Sequence, residues 1–267
     1  MTVTVVDAFA ERPFTGNTAA VVVLEAPAPV AWMRALAGEM NLSETAFLTP
    51  AADGAFGLRW FTPAVEVDLC GHATLASAHV LFETARLGPD AEARFETKSG
   101  RLTVRRDGAG VYTMDFPATP PQAATVDGLA AMLGIAPGWT GQTAFDVFAV
   151  LPDEAAVRSL TPDFPAIAGL GVRGVIVTAQ ADGGSEADVV SRYFAPGAGI
   201  DEDPVTGSAH CAVGPYWAAE FGRDTLACVQ ASARGGRVDV RILGDRVELT
   251  GRAVTIYRAE LGPAARP

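Results

Sequence analysis

Two segments hold most of the residues that could do chemistry: Leu69-Cys70-Gly71-His72-Ala73-Thr74 and Asp201-Glu202-Asp203-Pro204-Val205-Thr206-Gly207-Ser208-Ala209-His210. In each, a glycine lets the chain turn sharply into an apolar helix whose first amides and positive dipole end lack partners. Such a start can hold a small carboxylate through backbone N–H groups, with no lysine required. Substrate contacts are therefore expected at Gly71 and Ala73 in the first segment and at Gly207 and Ala209 in the second. The competing role for Asp203, Thr206 and Ser208 is to cap a helix.

Glu44, in Asn41-Leu42-Ser43-Glu44-Thr45-Ala46-Phe47-Leu48, is the candidate acid and base. Strand alternation puts it on the face of Leu42, Ala46 and Leu48, the less polar side. A carboxylate turned towards an apolar interior holds its proton more tightly than one in water and could carry it both ways near neutral pH. The alternative is a glutamate at a strand end reaching solvent.

Other patterns point away from common chemistries. Gly169-Leu170-Gly171-Val172-Arg173-Gly174 matches GxGxxG but runs into the β-branched Val175-Ile176-Val177-Thr178, whereas a dinucleotide site needs a helix there. Ser208 lacks the flanking glycines of a nucleophile elbow. His72, His79 and His210 form no HExxH, which leaves a metal site only to assembly across domains. Lys98 is the single lysine, so Schiff-base chemistry has one candidate position.

The elements that must position these residues alternate between short strands and a few helices. Strands are expected at 2–8, 18–24, 42–49, 56–62, 94–97, 101–106 and 111–116, and helices at 30–40 and 72–86. Proline and glycine dominate Pro117 to Gly141, the best candidate for an interdomain crossing. The second half then repeats the first. Arg59-Trp60-Phe61-Thr62-Pro63 returns as Arg192-Tyr193-Phe194-Ala195-Pro196, offset by 133, and Gly100-Arg101-Leu102-Thr103-Val104-Arg105 as Gly236-Arg237-Val238-Asp239-Val240-Arg241, offset by 136. Gly71 and Gly207 already differ by 136, so three extra residues fall within 197–206. A strand, a helix and a strand at 147–151, 154–160 and 175–178 match their upstream counterparts. The counterpart of Glu44 lies at Arg173 or Gly174, so only one half carries the acid. His72 to Phe82 and Ser208 to Ala219 carry no charged residue, as expected of helices buried on all sides with a sheet curled around them.

The 267 residues suit two domains, and a net charge of −11 opposes binding to nucleic acid or to an anionic membrane surface. Cys70, Cys211 and Cys228 are too few for a disulfide framework. No secretory signal or membrane-length apolar run is visible, and a cytoplasmic protein is the expectation.

The order Asp7-Ala8-Phe9, Phe14-Thr15-Gly16-Asn17, Asn41-Leu42-Ser43-Glu44-Thr45, Cys70-Gly71-His72-Ala73-Thr74 and Asp203-Pro204-Val205-Thr206-Gly207-Ser208-Ala209-His210 resembles the phenazine biosynthesis PhzF-like isomerase family. The resemblance runs over nearly the whole chain and is most specific in the last motif. It implies a diaminopimelate epimerase-like α+β fold: two pseudo-symmetric domains, each a mostly antiparallel curled sheet wrapped around a central buried helix, with the site between them. The domains are expected at 1–118 and 119–267, the last strand being free to cross back. The family's acid/base glutamate falls on Glu44 and its supporting histidine, aspartate and serine on His72, Asp203 and Ser208, with Asn17 among the substrate contacts. By that resemblance Glu44 takes a proton from one carbon of a small carboxylate and returns it to another, without cofactor or metal, in a homodimer.

Related racemases and epimerases oppose two cysteines, one from each helix start. Here Cys70 holds the first position, but Thr206 precedes Gly207 and Cys211 lies inside the expected helix. This disfavours the cysteine mechanism and leaves Cys70 a bystander or pocket wall. An epimerase using cysteine chemistry and a non-catalytic small-anion binder are the alternatives.

Overall fold

The valine-rich runs become strands because β-branched side chains pack well on a pleated surface, while the alanine-rich uncharged runs become buried helices. A computed structural model describes residues 1–267, which divide into two compact units: Met1–Asp115 with Thr250–Pro267, and Phe116–Leu249. No helix is long and apolar enough to cross a membrane.

The first unit runs β1 (Thr2–Ala8), β2 (Asn17–Val23), α1 (Val30–Met40), β3 (Glu44–Pro50), β4 (Phe56–Phe61), β5 (Glu66–Val67), α2 (Gly71–Glu83), β6 (Ala93–Thr97), β7 (Gly100–Arg106) and β8 (Tyr112–Pro117). The second holds β9 (Gln122–Ala123), α3 (Leu129–Leu133), β10 (Trp139–Gln142), β11 (Asp146–Val150), α4 (Glu154–Ser159), α5 (Phe164–Ala168), β12 (Gly174–Gln180), β13 (Val189–Phe194), α6 (Gly207–Phe221), β14 (Thr225–Gln230), β15 (Gly236–Leu243) and β16 (Arg246–Gly251). The last strand, β17 (Ala253–Glu260), pairs antiparallel with β1 in the first unit. The proline- and glycine-rich stretch from 117 to 141 is not bare linker: β9, α3 and the start of β10 fall within it.

Pairing in the first unit is antiparallel for β1–β2, parallel for β2–β3, antiparallel for β3–β4, parallel for β4–β6 and antiparallel for β6–β7. The second unit repeats this sequence in β10–β11, β11–β12, β12–β13, β13–β14 and β14–β15. Helix α2 touches β17, β1, β2 and β3 and also β7, so strands from both ends of the first sheet reach one helix. All of its residues from His72 to Phe82 are buried except His79. Helix α6 contacts β13, β14 and β15, and the missing side chain at Gly214 permits close approach: a Cβ there would lie 2.4 Å from Val240 Cγ1.

Helix α1 packs on the other face of the first sheet, where Met33, Leu36 and Ala37 meet Val3, Val5, Ala20, Val22 and Phe47. The alternate residues Ala46 and Leu48 are also fully buried, and by alternation they face α2. Glu44 shares their parity. Leu42 does not: β3 begins only at Glu44, and Leu42 packs with the α1 cluster instead. The chain turns there because Asn41 adopts the left-handed conformation that ends α1.

The sequence repeat has a shared physical basis. Arg59 donates a two-pronged pair to Glu66 at 2.7 and 2.8 Å, with its guanidinium 5.3 Å from the Phe61 ring centroid. Arg192 does the same to Glu202 at 2.7 and 2.9 Å, over Phe194 at 4.8 Å. The pairs span seven and ten residues, so the three-residue insertion lies inside the second, between Pro196 and Glu202. The Arg59 pair holds Glu66 down at about 2 against burial. Arg192 also donates to the carbonyls of Val157 and Leu160, fixing the end of α4. Arg192→Lys keeps the charge but loses the fork and these carbonyl bonds, and should cost about 1–2 kcal/mol in urea unfolding.

Candidate active site

In the first unit three side chains converge. Glu44 opens β3, Asn17 opens β2, and His72 is the second residue of α2. His72 Nε2 lies 3.1 Å from Glu44 Oε2, and the two side chains are only 6% and 18% exposed. Neither atom makes an aligned hydrogen bond, so the contact is an ion pair with a skewed angle. Glu44 Oε2 is buried against the ring, which leaves Oε1 as the oxygen open to a substrate.

The Asn17 amide sits 3.1 Å from His72 Nδ1. In a neutral ring, Asn17 Nδ2 donates to Nδ1 and the ring proton stays on Nε2. In an imidazolium Nδ1 carries a proton too, and the Asn17 amide must turn so that its Oδ1 accepts it; either state presents the Nε2 proton to the Glu44 carboxylate. Burial opposes charge on His72, but the Cys70 sulfur and Glu44 on its two sides outweigh it and raise the ring's proton affinity well above the ordinary range. Burial, and then Glu44, push the Cys70 thiol up to about 11, so at neutral pH it is protonated and the charge that favours the imidazolium is that of Glu44. Cys70 Sγ lies 3.6 Å from His72 Nδ1, nearer than a bystander need be.

Gly71 and Ala73 flank His72 in the first turn of α2. Cys70 occupies the N-cap position without a capping side-chain bond, and no acidic residue stands in the first turn. Thr74 N is the first amide to reach back, to Cys70 O at 3.2 Å, so the amides before it are not used by the helix.

In the second unit Gly207, Ser208 and Ala209 form the first turn of α6. Thr206 is its N-cap residue, yet its side chain makes no capping bond. Its hydroxyl instead donates to Asp203 Oδ2, and its amide donates to Gln230 Oε1 at 2.8 Å. Gln230 Nε2 returns to Asp203 O at 2.7 Å. Asp203 and Thr206 therefore brace the segment ahead of the helix rather than cap it, contrary to the usual role of such residues. The fully buried Gln230 was not identified from the sequence, where its only signal is one amide closing the strand Thr225-Leu226-Ala227-Cys228-Val229-Gln230.

His210 Nδ1 lies 2.8 Å from Thr206 O, which fixes the proton on that nitrogen. Burial lowers its proton affinity to about 4, so the folded protein holds it neutral. The unfolded chain takes up that proton near pH 6.5, so this contribution to stability is full above about pH 6.5 and falls towards pH 4 by up to about 1.4 kcal/mol per unit. His210→Asn keeps a side-chain N–H for Thr206 O and removes the titration. Its melting temperature should depend less on pH between 7 and 4 than that of the unaltered protein.

One expectation changes. A metal-ligating group does not need both halves: Glu44, Cys70 and His72 lie together in the first unit, one donor atom of each within 4.8 Å of the others. Gly169–Gly174 forms no nucleotide loop: it follows α5 and leads directly into β12. Cys211 does lie inside α6, its thiol directed to Gly207 O at 3.6 Å, so no second cysteine stands at that helix start.

The family model of the phenazine biosynthesis-like proteins, PhzC-PhzF, matches residues 6–259. An uncharacterized isomerase of Halalkalibacterium halodurans is 46% identical over 259 residues, covering 96% of this chain and 97% of that protein. The crystal structure of a PhzF-family phenazine biosynthesis protein of Enterococcus faecalis superposes with a TM-score of 0.92 at 42% identity, over 97% of this chain and 99% of that one. A hydroxyproline epimerase of Agrobacterium vitis shares the fold at a TM-score of 0.64 and 13% identity, over 97% and 91% of the two chains.

Proposed function

Since the chain belongs to the PhzC-PhzF family and is a PhzF-like isomerase, we propose that Glu44 is the group that moves its proton, on a small carboxylate substrate. The observation that carries this reading is the carboxylate held at one oxygen by His72 and open at the other. Oε1 takes a proton from a substrate carbon: the C–H bond breaks, an O–H bond forms, and the electron pair delocalises into the substrate. The same proton is then delivered to a different carbon, so nothing is consumed and only the position of the hydrogen changes.

His72 serves as the positioning cation. Its N–H favours the carboxylate between turnovers and holds it in one rotamer, as a general base requires. The uncapped first turn of α2, with Gly71 and Ala73, can hold the substrate carboxylate or the charge that develops on it. Asn17 acts on the His72 ring, which makes it a support of the base as well as a candidate substrate contact.

The test is incubation in deuterium oxide with a panel of small cyclic and acyclic carboxylates and amino acids, followed by proton NMR. Deuterium entering at carbon together with a shifted double bond supports the reading. Tight binding without exchange would favour the non-catalytic anion binder.

A further inference from the structure

Asp7 takes no part in the proton transfer proposed above, yet its carboxylate is buried, at 1% exposure. On β2, Ala20 and Val22 pack into the apolar cluster beneath α1, and Thr18 shares their parity. Asp7 is paired with Thr18 in the β1–β2 register, so it lies on that same face of the sheet. A buried charge on an apolar face is costly unless hydrogen bonds hold it. Asp7 Oδ1 accepts the Thr18 hydroxyl at 2.6 Å, and Oδ2 accepts the Phe14 amide at 2.8 Å. These donors flank Asn17, three residues before it and one after.

The segment that Asp7 grips follows an unfavourable course. Phe14 has φ +69°, a left-handed conformation that bulky side chains avoid, and its ring is 73% exposed, so side-chain packing holds it little. Gly16 is left-handed too, and it passes so close to β1 that an added Cβ would lie 2.2 Å from Ala8 O. Asn17 comes next and points to the opposite face from Thr18, where its amide meets His72 Nδ1 at 3.1 Å. His72 faces Glu44 through Nε2, also at 3.1 Å. Covalent and hydrogen-bonded links therefore run unbroken from Asp7, through the sheet, to the proposed base.

We propose that Asp7 is a positioning residue for the His72–Glu44 pair: by clamping Phe14 and Thr18 it fixes Asn17, and with it the ring that holds the Glu44 carboxylate. The effect on His72 needs no substrate, and only the effect on turnover rests on Glu44 being the base. Loss of the clamp lets Phe14 leave its left-handed backbone and frees the Asn17 amide from Nδ1. The imidazolium then gives up a charge-assisted bond, which is worth more than the one made by the neutral ring. The ring should therefore titrate at lower pH.

The chain has three histidines, so the His72 signals can be assigned in NMR spectra by substituting His79 and His210. Asp7→Ala should lower the His72 midpoint by about half to one pH unit. It should also slow deuterium exchange by up to about a hundredfold, in any carboxylate of the panel that the parent protein exchanges. Thr18→Val removes one of the two bonds and should move both readouts the same way by less, and it carries the test if Asp7→Ala does not fold. Asp7→Asn keeps an acceptor for the Phe14 amide and offers an N–H to the Thr18 hydroxyl, without the charge, so both readouts should stay near the parent. Val22→Ala, in the same cluster beneath α1, supplies a loss of packing alone: its melting temperature should fall while His72 titrates as in the parent. If Asp7→Ala, or Thr18→Val in its place, behaves like Val22→Ala, Asp7 only stabilises the sheet and the proposal is overturned. It is overturned equally if Asp7→Asn shifts His72 as far as Asp7→Ala, because the charge and not the clamp would then be acting. A shifted His72 in Asp7→Ala, with exchange unchanged in Glu44→Gln, would leave the clamp standing and remove the isomerase mechanism, so the two can fail separately.

Discussion

Glu44→Gln should lower deuterium exchange into substrate by about a hundredfold to ten-thousandfold, the range a positioned acid/base supplies, with no loss of fold. Glutamine has nearly the same shape and keeps an oxygen that can face His72 Nε2 across the present 3.1 Å. It cannot accept a proton from carbon. The substitution also removes the charge that favours the His72 imidazolium at neutral pH, so the ring should titrate at lower pH in the variant. That gives a second readout by histidine NMR, independent of substrate. Near wild-type exchange with Gln at position 44 would refute the assignment, whatever the ring does. Glu44→Asp should retain a fraction of the activity, because the carboxylate is withdrawn by one methylene from both His72 and the substrate carbon.

The elements were legible where local pattern and tertiary packing agree. The sequence limits for β1 and α1 match the structure residue for residue, because alternating valines end at a turn in the one and Pro29 precedes an amphipathic run in the other. Agreement failed at Leu42, whose apolar side chain extends the period of β3 on paper while the left-handed Asn41 swings it onto the α1 side. The two-residue strands β5 and β9 and the five-residue helices α3 and α5 carry no periodic signal and exist through tertiary contacts.

For the site, residue types were visible and neighbourhoods were not. Glu44 and His72 are distant in sequence, and only the pairing of β2 with β3 against α2 brings them together. Nothing in the local sequence tells that Cys70 faces the His72 ring, or that Thr206 spends its hydroxyl on Asp203 instead of on the helix. The Arg–Glu pairs of the repeat are a middle case: the arginines stood out as repeated letters, while their glutamates were hidden by the insertion between them.

Gly174→Ala should destabilise the second unit by about 3 kcal/mol, at the upper end of the overpacking range, and the reason explains why only one half carries the acid. Gly174 opens β12 as Glu44 opens β3, each on a strand with a parallel partner. An added Cβ would lie 2.6 Å from the Tyr193 ring carbon and hydroxyl and 2.7 Å from Phe194 O. Tyr193 cannot simply swing away, because its hydroxyl donates to Asp146 Oδ1 at 2.8 Å and Asp146 also pairs with both prongs of Arg173. Burial and the Asp146 carboxylate both raise the proton affinity of the Tyr193 hydroxyl, so it stays a donor. At this strand head the second unit thus has a carboxylate neutralised by arginine and closed over by tyrosine, where the first has one open to solvent at a single oxygen. A side chain at position 174, acid or not, must break that closure. Urea unfolding of Gly174→Ala, Tyr193→Phe and the double variant separates the contributions. Releasing the ring from Asp146 should recover part of the loss in the double variant, and the fixed Phe194 carbonyl should prevent full recovery. A Gly174→Ala protein as stable as the parent would show that the ring and carbonyl yield freely, and the steric account of the one-sided acid would then fail.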